Sequence, residues 1–429
     1  MRSPFAPFAV VASVALFLAC SSPAAVTPAE DAGKDARPID AGTDAYGQPS
    51  DVYPAFKPSV PQVSTVGGPI LTHAKVVPVY FPSDAMQAKI TGFLGKYVPS
   101  SRWVEMVGEY GVDTATVSAE VVLADAPAKT IDDTEIQTWL AGQLDGTHVE
   151  WPAPDASTLY VLFYPQTTSI TLSGSASCKA FGGYHGDVAL PNAQKVAYAV
   201  IPRCSSSSFS PLTETLSHEL VEAATDPYPN LLPAFAQLDE THMAWMLSSS
   251  GGEVGDMCEY DPLAPHAFAD LGGAVIQRSW SNLAAKAYHD PCVPQLSGST
   301  YFNAVPVLPD VVPVVIPDLP GLGPLAGRTL SVEGIKIPKG ESRTIDVNLF
   351  SDGPTGGPWT VEAVDTLEQR GLGNTTLTFA WDATEGQNGQ TLHLTITAVG
   401  KSFLGASAFQ IVSTKGDQRF SWTGTVGMN

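Results

Sequence analysis

The sequence predicts an α+β domain over 67–295, followed by an all-β sandwich over 328–429. Three observations carry this reading. Apolar β-runs alternate with amphipathic, helix-length segments in the first half. A proline-rich stretch at 297–327 interrupts that pattern. Beyond it come only short alternating segments parted by Gly, Asn and Asp turns.

In chain order, MRSPFAPFAVVASVALFLAC is an export signal (1–19), with Arg2 as its charged start and Phe8–Leu18 as its apolar run. That run is short for a bilayer span. It ends at Cys20 followed by Ser21 and Ser22, the pattern of a bacterial lipoprotein signal, in which Cys20 is lipidated and anchors the chain to a membrane. Phe17 stands where leucine is usual, and a plain secretory signal cut nearby is the alternative. Either route leads to an exported protein, an outer-membrane or cell-surface lipoprotein in the first case. Residues 20–61, rich in Ala, Pro, Asp and Gly without apolar periodicity, read as a disordered tether.

Within 67–295, Lys75–Phe81 (KVVPVYF) reads as a strand, at an edge because Pro78 lacks an N–H. Met86–Tyr97 reads as a helix with Ile90, Phe93 and Leu94 on one face, and Thr116–Leu123 alternates as a strand. Thr134–Leu144 is a second helix after the acidic Asp132-Asp133. Thr158–Tyr164 (TLYVLFY) and Lys195–Pro202 (KVAYAVIP) are apolar enough to be buried on both faces. In 297–327, prolines every three or four residues forbid a helix and suggest a stiff linker. Strands then follow at Arg343–Phe350, Trp359–Ala363, Thr376–Trp381, Thr391–Ala398, Ala408–Ser413 and Arg419–Thr423, with Asn388-Gly389 as a tight hairpin turn. That spacing suggests an immunoglobulin-like sandwich. His393 reads as a solvent-facing strand residue and Trp280 as core.

The net charge of −21 argues against nucleic-acid binding, since no basic surplus exists to displace counterions, and it is compatible with cation binding. Setting Cys20 aside leaves Cys178, Cys204, Cys258 and Cys292. An even number in an exported chain implies two disulfides, and three connectivities are open. Pairing nearest neighbours gives Cys178–Cys204 and Cys258–Cys292. A zinc–thiolate site is the weaker alternative, as no C-x-x-C spacing occurs.

The stretch SHELVEAATDP, Ser217–Pro227, carries the chemistry. Ser210 can cap its helix, with Pro211 at the first position, and Pro227 ends it. Leu212, Leu216 and Leu220 form a buried stripe; Glu214, His218 and Glu222 recur on the neighbouring one. His218 and Glu222, one turn apart, converge on one point and can share a divalent cation. Glu219 occupies the general-base position of the related H-E-x-x-H pattern, in which it takes a proton from water activated by the metal. A third ligand must come from elsewhere, and Glu253 or Asp256 in GGEVGDMCEY are the candidates, with Asp226 just past the helix end as a further one. Carboxylate in place of the second imidazole weakens the cation's pull on water and favours oxygen-loving ions. Zn²⁺ is the expected ion, with Mn²⁺ or Ca²⁺ also accommodated. An acidic helix face that is simply solvated is the bland alternative.

Several segments together resemble the Exordium-like, or phosphate-induced, extracellular protein family. They are GGPIL (Gly67–Leu71), VVPVYF (Val76–Phe81), TLYVLFY (Thr158–Tyr164), Cys178 through Gly183-Tyr184-His185, YAVIP (Tyr198–Pro202), SHELVEAATDP, GEVGDMC (Gly252–Cys258) and QRSWSN (Gln277–Asn282) before Cys292. The resemblance spans 67–293 and not the sandwich. It implies a secreted zincin-like fold in which H-E-x-x-E is normal. It also implies site roles for His218, Glu219, Glu222, Asp226, Glu253 and Asp256, and for His185 in a loop after Cys178, with Asp226 and His185 as possible outer-shell residues. Tyr184 is a candidate oxyanion donor.

Two functions follow as expectations: a lipid-anchored, metallopeptidase-like hydrolase, or a non-catalytic surface protein that binds a peptide, protein or glycan through a structural zincin-like domain. A serine hydrolase is disfavoured, because no G-x-S-x-G occurs.

Overall fold

A computed structural model describes residues 46–204, 208–249, 251–316, 325, 327–371, 374–400 and 405–428. The signal 1–19, Cys20 and the tether up to residue 45 lie outside the described residues. The fold is mostly strand, with some helices.

The site rests on a six-stranded sheet. Its strands are β1 (Lys75–Tyr80), β2 (Thr116–Val117), β3 (Val121–Val122), β4 (Thr158–Tyr164), β5 (Tyr184–Ala189) and β6 (Lys195–Pro202). β2 and β3 pair with β1, followed by β4, β6 and β5; the pairs are parallel except for the antiparallel edge strand β5. Strand alternation sorts the side chains into two layers. Val76, Tyr80, Leu159, Val161, Phe163, Ala197 and Ala199 face one core with helices α1 (Gln87–Tyr97) and α2 (Ser101–Val107). Val77, Val79, Tyr160, Leu162, Tyr164 and Tyr198 face the other, with Ile136 and Leu140 of α3 (Asp133–Gln143). Asp132 and Glu135 close a capping box at the start of α3, so its acidic entry is a reciprocal cap.

β1 is an interior strand and not an edge. Pro78 is tolerated because the neighbour on one side is broken opposite it: Lys75 and Val76 pair with β2, Val79 and Tyr80 with β3, and no pairing falls between. The single strand expected over Thr116–Leu123 is therefore two short ones. Both disulfides form as the nearest-neighbour pairing predicts, Cys178–Cys204 and Cys258–Cys292, with Cα separations of 5.1 and 5.9 Å. They fit an oxidising compartment. Among the described residues no helix is long and apolar enough to cross a membrane.

Two sheets form the C-terminal sandwich. One orders β7 (Phe302–Pro306), β10 (Ser342–Ser351), β14 (Thr391–Ala398) and β12 (Leu377–Trp381). The other orders β8 (Asp310–Val315), β9 (Thr329–Lys336), β16 (Gln418–Gly427), β15 (Ala406–Lys415), β11 (Trp359–Asp365) and β13 (Glu385–Gly386). Phe302, Val347, Leu392, Trp359, Ile411 and Trp422 share the core between them.

The proline-rich segment is thus not a plain linker. β8 is an edge strand, where Pro313 can face outward while Val312 and Val314 point inward. These two valines join the core of the first domain. Nor is the whole of 20–61 a tether. Tyr46 bridges to Thr391, and the buried Asn388 side chain donates to the carbonyls of Ser50 and Val52 and accepts from the Ala55 and Ser351 N–H groups. Asn388-Gly389 therefore connects strands of two different sheets and holds the incoming chain; it is not a hairpin turn within one sheet. Trp245 stacks edge-on against Trp422 at 5.2 Å and against Trp280 at 6.3 Å, which joins the sandwich to the first domain through a ring cluster.

Candidate metal centre

The helix carrying His218, α4, runs over Phe209–Thr225. It begins earlier than the Ser210–Pro211 pattern predicts, with Ser208 at the cap making no side-chain bond. It ends as predicted: Asp226 before Pro227 leaves helical geometry, at φ −140° and ψ 68°. The apolar stripe Leu212, Leu216 and Leu220 is buried, each fully buried leucine contributing about 1.5–3 kcal/mol. On the polar stripe His218 and Glu222 are buried and Glu214 is half-buried; a hairpin (Pro265–Phe268 with Ala274–Gln277) packs along the helix beside them. Thr213 Oγ1 donates to the Val275 carbonyl at 2.6 Å, and Ser217 Oγ accepts from the Gln277 N–H at 2.9 Å.

His218 and Glu222 come together as the one-turn spacing requires, with Nε2 3.2 Å from Oε2. The third member is Asp256, at the start of the short helix α5 (Asp256–Glu259). The three donor atoms lie within 4.8 Å of one another. The Asp256 N–H also donates to Glu222 Oε1 at 3.0 Å, which leaves Glu222 Oε2 facing the imidazole. Gln277 Nε2 pins this loop through the Gly255 carbonyl at 2.8 Å. Glu253 falls instead into a group with His185 and Asp226.

His185 lies on β5 and not in a loop, a position its Gly-rich approach concealed. Alternation along β5 turns His185 toward α4, with Nδ1 3.7 Å from Glu219 Oε2 and 3.6 Å from Glu222 Oε2. Its Nε2 lies 3.7 Å from Glu253 Oε1. The same alternation sends Tyr184 the opposite way, where its hydroxyl donates to Asp133 Oδ1 at 2.6 Å. Tyr184 is therefore no oxyanion donor; it and Tyr198 bind α3. Trp280 is buried, as read from sequence. His393 lies part-exposed on β14 and pairs with Asp382.

These residues fit a divalent cation. A tetrahedral shell with bonds of about 2.0–2.1 Å places its ligand atoms roughly 3.3 Å apart; His218 Nε2 and Glu222 Oε2 are 3.2 Å apart, and all three donors lie within 4.8 Å. His218 Nδ1, His185 Nε2 and Asp226 Oδ2 are buried with no hydrogen-bond partner, a costly arrangement unless something binds there. The electrostatics agree. Burial pulls both imidazoles toward neutrality, yet the carboxylates outweigh it: His218 is held well above its ordinary range by Glu222, and His185 at about 9 by Glu219, Glu222 and Asp226. Burial, then the charge of Glu222, pushes Glu253 and Asp256 well above the usual carboxylate range. Asp226 is raised chiefly by burial. Glu222 is lowered, because His218 outweighs the burial that would raise it. Without a cation, the cluster balances its charge by holding protons.

A further grouping, Asp261, Asp290 and Cys292, has a different role. The Cys292 sulfur is committed to the bridge with Cys258, and the Arg278 guanidinium sits against both acids.

Gly255 has no room for a side chain. A Cβ there would lie 2.7 Å from Glu222 Oε1 and 2.9 Å from His218 Nδ1. Its φ of −73° suits any residue, so Gly255→Ala tests space alone. The variant should fold and bind Zn²⁺ about 10–100-fold more weakly by competition titration, the range seen when a ligand's support is lost. Unchanged affinity would mean that Glu222 and His218 are not ligands.

No protein-family model matches the chain, and no curated protein matches it. Among solved structures, the titin M4 domain shares 12% identity, covering 22% of this chain and 86% of that one, at a TM-score of 0.15. Domains 4 and 5 of the S-layer protein SbsC share 14% identity over 37% of this chain and 86% of that one, at a TM-score of 0.16. Neither likeness is close enough to bear on fold or function.

Proposed function

We propose that this chain is an exported, lipid-anchored metal-dependent hydrolase of the metallopeptidase kind, built on a zincin-like domain, with an immunoglobulin-like sandwich behind it. The observation that carries the reading is the convergence of His218, Glu222 and Asp256 with buried, unpartnered polar atoms beside them. The resemblance of segments over 67–293 to the Exordium-like family is a further reason for it.

In this reading one His218 nitrogen, one Glu222 oxygen and one Asp256 oxygen would hold the cation. A cation held there would supply Lewis acidity, polarising a carbonyl and lowering the pKa of water. Glu219 accepts the proton of the attacking water and delivers it to the leaving amine. His185, facing the Glu219 carboxylate, holds that carboxylate in place. Gly183 lets the chain close on Glu219, since a Cβ there would lie 2.9 Å from Oε1.

The decisive measurement is metal content of the purified full chain after equilibration with Zn²⁺ and desalting. Tightly bound Zn²⁺ is expected, with His218→Ala losing it at its own site. Wild-type protein that retains none would remove the proposal. One observation favours a second reading, a non-catalytic surface protein: the His185, Glu219 and Glu222 side chains are each only 4% exposed. A structural ion is enclosed in this way, whereas a catalytic one needs an open position. Metal content with no cleavage of a peptide library by mass spectrometry would select that reading.

A further inference from the structure

We propose that the cluster holds two divalent cations side by side, one on His218, Glu222 and Asp256, the second on His185, Asp226 and Glu253. This rests on the metal-binding reading above and extends it to a second ion.

The two sets share no residue, and each brings one imidazole and two carboxylates whose donor atoms lie within 4.8 Å of one another; a third grouping, His185, Glu219 and Glu222, draws on both sets and places them side by side. They come from different parts of the fold. His185 is on the edge strand β5, Asp226 lies just past the end of α4, and Glu253 is in the loop before α5. Two buried polar atoms in the second set make no hydrogen bond, His185 Nε2 and Asp226 Oδ2, on residues 5% and 0% exposed, and the Glu253 carboxyl faces both side chains. The other oxygen, Asp226 Oδ1, is already used, accepting from the Ala234 N–H at 2.7 Å. That bond fixes the carboxylate and leaves Oδ2 for a ligand. His185 Nε2 lies 3.7 Å from Glu253 Oε1, while its Nδ1 faces Glu219 and Glu222. A metal-bound imidazole commonly has its other nitrogen turned to a carboxylate in this way, which sets tautomer and orientation.

Charge points the same way. Glu219, Glu222, Asp226, Glu253 and Asp256 are five carboxylates crowded around two imidazoles. With all five ionised and both imidazoles neutral, one divalent ion leaves three negative charges for protons to balance in a buried volume, which is costly. Two ions leave one, the charge of the general base Glu219. Oxygen-rich shells of this kind suit Zn²⁺ and Mn²⁺ alike.

The test is stoichiometry and spin coupling on the full chain. By elemental analysis the wild type should retain two equivalents of Zn²⁺ or Mn²⁺. His185→Ala and Asp226→Asn should each retain one, as should His218→Ala. Asp226→Asn is near-isosteric and serves if His185→Ala does not fold, as judged by circular dichroism. Mn²⁺-loaded wild type should show an exchange-broadened electron paramagnetic resonance spectrum, which either second-site variant sharpens to the six lines of an isolated ion. One equivalent in the wild type, unchanged by Asp226→Asn and with an isolated-ion spectrum, overturns the second site and leaves the first intact. No bound metal at all overturns both.

Discussion

If the proposed hydrolase reading holds, Glu219→Gln is expected to leave cation content unchanged and to lower hydrolysis by about 10²–10⁴-fold, the usual contribution of a positioned general base. The substitution keeps the shape of the side chain and its place on α4, and removes only the capacity to take a proton. Glu219 belongs to neither set of proposed ligands, so a loss of metal would show that its carboxylate is a ligand and that the assignment of roles is wrong. The two results are separable by elemental analysis and peptide cleavage on one preparation. Equal cleavage by wild type and variant, at equal metal content, would place the base elsewhere.

Arg278→Met is expected to produce the largest loss of stability, about 3–5 kcal/mol, because it strands buried acids without a counter-charge. Arg278 is fully buried. Its Nη1 donates to Asp290 Oδ2 at 2.7 Å and to the Cys292 carbonyl, its Nε donates to the Leu263 carbonyl at 2.9 Å, and Asp261 lies 3.9 Å away. Burial and the charge of Asp290 already push Asp261 up to about 7 even with the guanidinium present. Removing Arg278 raises both acids further. A carboxyl whose pKa is higher folded than unfolded binds more protons in the folded state, so its contribution falls as pH rises through that window. The deficit relative to wild type should therefore be smallest near pH 5 and grow toward pH 8. Urea midpoints at these two values measure it; a deficit independent of pH would mean the loss is one of packing alone.

The path of the chain explains why some of this was legible in advance. The one-turn spacing of His218 and Glu222, the stop at Pro227 and the pairing of near cysteines are local matters, and the structure agrees on each. Strands β4 and β6 also announced themselves, since runs as apolar as TLYVLFY and KVAYAVIP can only be interior. Misreadings came where a local rule depends on a distant neighbour. Pro78 reads as an edge signal, but a break in the facing strand made an interior place for it. Prolines at 306–313 read as a linker, yet Val312 and Val314 found a core to enter. His185 looked like a loop histidine because Gly182-Gly183 mask the start of β5.

The sequence by itself determined that an imidazole and a carboxylate stand one turn apart on a helix, that the helix stops at Asp226, and that two cysteine pairs can close short loops. Only the tertiary structure decided that Asp256 joins His218 and Glu222 while Glu253 turns to His185, and that His218 and Glu222 are enclosed rather than solvated. The physical reason is range: helical periodicity acts over a few residues, whereas a ligand shell is closed by strand alternation at residue 185 and a loop near residue 255, brought together only by burial of the shared core.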